Sequence, residues 1–399
     1  MTGPRLIGAL LAALVALTLA RPSAARVTSA PTPSVSLAGS TVAVIGDYGV
    51  DTTAEANVAS LVASWGPAAI VTVGDNYYTS GGSGTGKYDL VVGKYYCAYL
   101  KGAASGTNCA GGTADVNRFF PATGNHDYSD GGGATPLGNY LDYFSFPGNE
   151  RYYSVRLGAA EVFVIDSDEA LRNATDMSAQ KAWLETALKA STAAWQVVVF
   201  HHPPYSSSST HGSSVAMRWP FASWGADLVL NGHDHTYERI ARDGITYIVD
   251  GLGGAGLYAF GTPVSGSVAR YNANHGALRL TASATSLTGE LISIDGVTQD
   301  TFAVTPVAPT QTVTFRDGAA PTAGYSGTAD VTISQSTAST RRGGEATLYL
   351  GGDNPVGSAS DHTTLLRFDL SALPDIETLT GESDLSAFMH KAVPDALRN

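Results

Sequence analysis

A short apolar run closing on a small polar cluster recurs along the first 235 residues, and it constrains the fold more than any other feature of the chain. Residues 41–45 lead into Gly46-Asp47-Tyr48-Gly49, and residues 69–73 lead into Gly74-Asp75-Asn76-Tyr77-Tyr78. Residues 196–200 end at His201-His202-Pro203, and residues 227–230 precede Gly232-His233-Asp234-His235. A fifth cluster is Gly124-Asn125-His126-Asp127. Between the first two runs, residues 54–65 carry apolar side chains at helical spacing, so the opening unit reads as strand, helix, strand. Such a unit implies parallel strands joined by a crossover helix. The same grammar returns with helical spacing over 178–190 and 214–224, each followed by one of the later strands. In open α/β sheets the loops beyond the carboxyl ends of the strands converge, which predicts that the scattered clusters form one site.

The rest of the chain divides around this core. Residues 152–157 and 161–165 read as a hairpin turning at Gly158, and 245–250 and 277–294 add further strands. Residues 1–25 read as an export signal, with Arg5, an apolar run from Leu6 to Ala20 and the small residues Ser23-Ala24-Ala25; the competing reading is an uncleaved anchor. A Pro/Ser/Thr-rich lead occupies 26–40, the catalytic domain is expected over 41–305, and a Pro/Thr/Val/Ala linker over 306–312. Residues 313–399 form a β-rich accessory segment, with strands expected at 331–334, 346–350 and 364–370 and a weakly patterned tail over 377–399.

A net charge of −12 argues against nucleic acid and anionic membrane surfaces as partners. A small phosphorylated ligand stays compatible with that charge where bound cations reverse the local field. The mature chain is expected to be secreted, in a periplasmic or extracellular compartment. Its two cysteines, Cys97 and Cys109, suit one disulfide there, the alternative being two free thiols.

The clusters are rich in the donors that hard and borderline cations take: carboxylate, imidazole, amide oxygen and phenolate. Two-metal hydrolases hold their ions about 3.5–4 Å apart, so one carboxylate commonly serves both. Asp47 and Asp75 each follow a glycine at a strand end, where a tight turn brings the backbone close and frees the carboxylate to point inward. Taken singly, a Gly-Asp pair reads as a turn or a helix N-cap, and Gly-Asn at Asn125 as another turn. The combination argues otherwise. His233 and His235 lie two apart, so an extended backbone would turn both imidazoles to one side. His126, beside Asn125, suits a substrate-facing role as a hydrogen-bond or proton donor to phosphate.

In this order, over residues 41–256, the five clusters resemble the purple acid phosphatases, in pattern their small tartrate-resistant type, within the calcineurin-like metallophosphoesterases. What separates this family within the superfamily is a tyrosine three residues after the second Asp, and Tyr78 occupies that place. Tyr77 offers a neighbouring phenol. The resemblance implies an α/β fold of two packed mixed β-sheets flanked by helices, with a small C-terminal all-β segment beyond. It implies a ferric ion (Fe3+) held by Asp47, Asp75, Tyr78 and His235, coloured by the phenolate. A divalent partner (Fe2+, Zn2+ or Mn2+) would be held by Asp75, Asn125, His201 and His233, with Asp75 bridging. His201, not His202, matches the family's His-x-Pro-x-aromatic pattern. His126 and His211 match its substrate-side catalytic histidines, His211 standing one position further from His201 than in the family. The implied activity is that of an exported dinuclear-metal acid phosphatase, which hydrolyses phosphomonoesters by attack of metal-activated hydroxide.

An alternative on the same centre is a phosphodiesterase or nucleotidase. An alternative of another class is a polysaccharide-binding or adhesion protein, because Asp330-Val331-Thr332-Ile333 and residues 365–371 resemble part of a bacterial carbohydrate-binding-like module. Gly251-Leu252-Gly253-Gly254-Ala255-Gly256 has dinucleotide-fingerprint spacing, but no helix start follows it. Ser206 to Thr210 reads as a hydroxyl-rich loop, since no Gly-x-Ser-x-Gly elbow surrounds it. Asn173-Ala174-Thr175 is a glycosylation sequon.

Overall fold

Alternate side chains of the strand at Thr41–Ile45 are buried on opposite faces: Val42 and Val44 belong to one apolar cluster, Ala43 and Ile45 to another. A strand buried on both sides must lie between two layers, and the whole architecture follows from that. The computed structural model describes residues 41–306, apart from 79–83, 103–105, 130–136, 145, 147 and 149, together with the backbone of three further short strands. The expected export signal at 1–25, most of the lead and linker, the strand at 346–350 and the tail at 377–399 lie outside the described residues.

In chain order the strands are β1 (Ser34–Val35), β2 (Thr41–Ile45), β3 (Ala69–Thr72), β4 (Phe119–Pro121), β5 (Tyr153–Leu157), β6 (Ala160–Val164) and β7 (Trp195–Val199). They continue with β8 (Leu228–Asn231), β9 (Tyr237–Arg242), β10 (Ile245–Asp250), β11 (Ser267–Tyr271), β12 (Gly276–Ala282), β13 (Leu287–Ser293) and β14 (Thr298–Val304). Six of them form one sheet in the order β14-β13-β12-β2-β3-β4, and eight form the other in the order β1-β5-β6-β7-β8-β10-β9-β11. Both sheets are mixed: β2, β3 and β4 are parallel to one another, as are β6, β7 and β8, while the outer hairpins run antiparallel.

The sheets pack face to face through Val42, Val44 and Val71 of one and Val162, Val197, Val199 and Leu230 of the other. Outside the first sheet, Ile45 and Ile70 pack with Val58 and Val62 of the helix Thr53–Trp65. Outside the second, Phe163, Val198 and Val229 meet Leu184 and Leu188 of the helix Ala174–Ala190, together with Phe221 and Trp224. This is the α/β fold of two packed mixed sheets with flanking helices. A separate second unit, Thr310–Asn399, carries β15 (Thr328–Ser334) and β16 (His362–Phe368), which pair antiparallel.

Local chemistry moved several boundaries. The helix expected over 214–224 is a 3-10 turn at Val215–Met217 and a single helical turn at Phe221–Trp224, because Pro220 between them has no N–H to continue a ladder. The run 277–294 is two strands, β12 and β13, turning where Ser283 N donates to Ser286 O (2.7 Å). The helix expected from 178 begins at Ala174, capped by Asn173, whose Oδ1 accepts from Thr175 N (3.1 Å) and Asp176 N (3.3 Å). The sequon is thus built into a helix cap.

Cys97 and Cys109 are joined in a disulfide. It ties the helical stretch ending at Tyr99 to a loop whose Asn108 and Cys109 N–H groups also donate to the Asp89 carboxylate (2.8 and 2.9 Å). Replacing both cysteines by serine is expected to lower the unfolding free energy by about 3 kcal/mol, the loop-closure value for a ring of this size. A denaturant melt of the double variant with an unchanged midpoint would count against it.

Glu55 is fully buried in the first turn of the helix Thr53–Trp65, where its Oε2 accepts from Val50 N (3.1 Å) and Asp51 N (2.6 Å) while Oε1 has no partner. Burial pushes its carboxyl up to about 9, against the pull of those two N–H groups. The folded state therefore holds this proton more tightly than the unfolded chain. The resulting stability is full below the unfolded value of 4.5 and is lost as pH rises through about 9. Glu55→Gln should flatten that decline, gaining on the wild type by on the order of 1–3 kcal/mol at alkaline pH. Parallel stability curves from pH 5 to 9 would show that the carboxyl carries no such term.

Candidate metal centre

Three of the residues singled out by the sequence sit at left-handed backbone angles: Asp47 (φ 56°), Asp75 (φ 53°) and His233 (φ 71°). Asp and His are among the few side chains other than glycine that adopt this region, at a cost on the order of 1–3 kcal/mol each. The expected geometry is thus corrected in one respect. The sharp turn after β2 is made by Asp47 itself, and His233 is bent, so no extended backbone aligns the two histidines. Gly74 has its own positive φ (102°), and a Cβ there would lie 2.6 Å from the His201 ring. A Cβ on Gly124 would lie 2.2 Å from Asp75 Oδ1, so the third cluster reaches the second only because it begins with glycine.

These turns stand at the carboxyl ends of β2, β3 and β4 in one sheet and of β7 and β8 in the other, and their side chains meet in two groups. In the first, Tyr78 Oη lies 3.2 Å from Asp47 Oδ1, 3.0 Å from Asp75 Oδ2 and 3.0 Å from His235 Nε2. In the second, His201 Nε2 lies 3.3 Å from Asp75 Oδ2, 3.1 Å from Asn125 Oδ1 and 3.2 Å from His233 Nδ1. Asp75 Oδ2 belongs to both. All seven residues expected as ligands are therefore brought together in these two contact groups. Tyr77 is turned elsewhere, its ring 5.7 Å from Tyr88 and beneath the ammonium of Lys87.

The ring nitrogens are oriented from behind. His201 Nδ1 donates to the Val73 carbonyl (2.9 Å) and His235 Nδ1 to that of Gly256 (2.7 Å), which aims each Nε2 at the cluster. His233 N donates to Asp47 Oδ2 (3.0 Å), and His126 N to Asp75 Oδ1 (2.9 Å). The glycine-rich turn at 251–256 is part of this bracing, since Gly253 N and Ala255 N donate to Gly46 O and Asp47 O (2.9 Å each) and no helix follows it.

The electrostatics are those of a site made for cations. Among the described residues no lysine or arginine pairs with Asp47 or Asp75. Burial works to raise the Asp75 carboxyl, but the charge and hydrogen bond of His201 hold it well below the usual carboxylate range. His201 answers in kind: burial opposes its charge, yet Asp75 lifts it to about 9. His233 is pushed far down by burial and by the charge on His201. Burial, then the charges of Asp75 and Asp47, push the Tyr78 phenol well above its ordinary value. A proton on His201 thus does for Asp75 and His233 what a cation would do, and a bound cation would oppose the upward push on the phenol. Asp47, Asp75 and His201 offer ligand atoms within 4.8 Å of one another, and the donor set fits metal ions.

The substrate-side histidines lie against these groups. His126 lies tilted against Tyr78 (4.2 Å between centroids, 37° between planes), and His211 stacks on His233 (4.1 Å). His202 is buried, with Nδ1 2.9 Å from Ser167 Oγ. Burial, then the charge on His201, pushes it down to about 3. It stands beside the cluster without a place in either donor set. The serine run is structural: Ser206 Oγ donates to Asp234 Oδ2 (2.6 Å), and Ser207 N to Glu238 Oε2 (2.6 Å).

Three contributors escaped the sequence reading. Asp127 is buried and takes Gly124 N (2.8 Å) and Asn76 Nδ2 (2.9 Å) on one oxygen, fixing the second cluster to the third. Asp234, buried between the two histidines of its cluster, receives Ser206 Oγ together with the backbone N–H groups of His211 (3.2 Å) and Gly212 (3.1 Å). Tyr258 lies flat on His235, 4.0 Å away. The flanking histidines were a usable signal for Asp234; nothing local marked Tyr258.

Residues 40–237 match the profile of the calcineurin-like phosphoesterase family. Among curated relatives, Purple acid phosphatase 15 of Arabidopsis thaliana is 33% identical over 137 residues, covering 29% of this chain and 25% of that protein. Phosphoenolpyruvate phosphatase of Allium cepa is 31% identical over 136 residues, covering 30% of this chain and 28% of that one. The chain thus spans about a quarter of the length of these relatives. Among solved structures, purple acid phosphatase PPD1 from yellow lupin superposes with a TM-score of 0.52 at 18% identity, over 66% of this chain and 53% of that one. GAP50, the anchor in the inner membrane complex of Plasmodium, gives 0.51 at 20% identity, over 67% and 89%. These superpositions establish a shared fold.

Proposed function

This chain belongs to the calcineurin-like phosphoesterases, with purple acid phosphatases among its relatives, and we propose that it is an exported acid phosphatase acting on phosphomonoesters at a dinuclear metal centre. One observation carries the reading: Asp75 Oδ2 is shared by two donor groups, one containing a phenol and the other an amide oxygen. Asp47, Asp75, Tyr78 and His235 would hold a ferric ion, and Asp75, Asn125, His201 and His233 a divalent iron, zinc or manganese. Such a pair supplies charge neutralisation for phosphate and an acidic bound water. The protein's own contribution is placement. The His126 backbone N–H donates to Asp75 Oδ1, so the His126 main chain is tied to the carboxylate shared by the two groups, and its ring lies against Tyr78. His126 and His211 stand on the two donor groups as hydrogen-bond donors to phosphoryl oxygens, a role worth about 10²–10⁴ in rate. Among the described residues no helix is long and apolar enough to cross a membrane.

Metal analysis of the native protein with its visible spectrum tests the centre, and a substrate panel tests the reaction. Iron with a broad visible band and faster turnover of monoesters than of diesters is the expected result. A colourless dizinc protein, or preference for diesters, would replace this reading with a general phosphoesterase or a phosphodiesterase.

A further inference from the structure

Two loops from different parts of the chain are stitched together beside the donor groups. Ser208 and Phe260 form an antiparallel bridge, Ser209 N donates to Ala259 O (3.0 Å) and Gly261 N to Ser207 O (2.7 Å). The footing of this small ribbon is buried and charged. Asp234 holds Ser206, His211 and Gly212, and Glu238 holds Ser207 through both its N–H and its hydroxyl.

The ribbon carries two rings. Tyr258 lies on His235 at 4.0 Å with 13° between planes, and His211 lies on His233 at 4.1 Å with 28°. The two rings meet edge to face at 5.6 Å. Each histidine of the fifth cluster is therefore covered by one ring of the ribbon, and the two rings form one continuous wall. Tyr258 is fixed through its backbone, its N–H donating to His235 O (3.0 Å) and its carbonyl accepting from Asn272 Nδ2 (2.7 Å). Its phenol oxygen, like the ring nitrogens of His211, makes no hydrogen bond among the described residues. His211 is exposed and Tyr258 partly so. A rigid aromatic surface with unspent polar tips, next to a charged centre, is arranged to meet something that arrives from solvent.

We propose that the His211–Tyr258 wall receives the leaving group of the ester and selects aromatic leaving groups over alkyl ones. This rests on the phosphomonoesterase reading of the adjoining centre. Phosphate bound at the donor groups sets its ester substituent down beside them. An aryl ring there gains edge or face contact with Tyr258 and His211, whereas an alkyl group gains only area. Tyr258 is thereby a specificity-determining residue.

The test compares phenyl phosphate with glycerol 2-phosphate on the metal-loaded full chain, and phenylphosphonate with methylphosphonate by titration calorimetry. In Tyr258→Ala the aryl-to-alkyl ratio of kcat/KM is expected to fall roughly three- to tenfold, with a matching fall in the phenyl-to-methyl affinity ratio. Tyr258→Phe, which keeps the ring, should retain both ratios. Unchanged ratios in Tyr258→Ala would overturn the proposal. So would an equal loss on both substrates together with loss of metal, which would make Tyr258 only a brace for His235. A wild type that hydrolyses neither ester defeats the reading of the reaction, and the phosphonate pair still decides the wall: a phenyl preference removed by Tyr258→Ala supports it, and equal affinities refute it.

Discussion

Asp75→Asn is expected to abolish phosphomonoester turnover, by on the order of 10³-fold or more, and to strip the protein of both metals. Removing a single donor to a developing charge costs about 10²–10³ in such sites, and loss of a residue that merely orients a ligand costs about 10–100-fold in metal affinity. Asp75 stands above both categories because one oxygen, Oδ2, serves both donor groups. Asparagine is the informative replacement. It tolerates the left-handed angle that Asp75 adopts (φ 53°), and its amide oxygen can still accept from His126 N. The fold therefore survives while the charge disappears. Metal content by elemental analysis and unfolding by denaturant separate the two effects. Near-normal metal loading in a folded Asp75→Asn would mean that the two groups do not share a bridging carboxylate.

Tyr78→Phe should leave a folded protein with no visible absorbance. The ring keeps its contact with His126 at 4.2 Å, so the packing loss is small. What vanishes is the oxygen that lies within 3.2 Å of Asp47, Asp75 and His235. In the metal-free protein, burial and those two carboxylates hold the phenol protonated, so colour can arise only when a cation displaces that proton. Tyr77→Phe is the control, because the Tyr77 ring packs against Tyr88 instead of joining either donor group. Retained colour in Tyr78→Phe, or its loss in Tyr77→Phe, would move the phenolate to the wrong residue.

The strands that carry the site were legible because each is a short β-branched run buried on both faces, as Val42 and Val44 against Ala43 and Ile45 illustrate. Convergence of the ligands followed from the rule that loops gather at the carboxyl ends of parallel strands. The backbone turn that delivers each ligand was less legible. Glycine before Asp47 suggested where the chain bends, yet the bend falls on the aspartate, because Gly46 is needed for a different reason: a Cβ there would lie 2.2 Å from Val73 Cγ2. Tyr258 was invisible because its role depends on ring contacts across 23 residues of loop and strand, with no periodicity to report them. Helix ends set by Asn173 and Pro220 were there to be read and shifted the expected boundaries by local hydrogen bonding alone.

The donors come from two sheets that have no strand in common: Asp47, Asp75 and Asn125 follow strands of one, His201 and His233 follow strands of the other. Metal–ligand distances tolerate errors of only about 0.2 Å, far less than the slip a hydrophobic interface allows. A loaded centre would act as a rivet through the sandwich. Its absorption band would then serve as a strain gauge for the whole domain, registering a repacked valine between the sheets, such as Val162 or Val197, before any loss of stability is measurable.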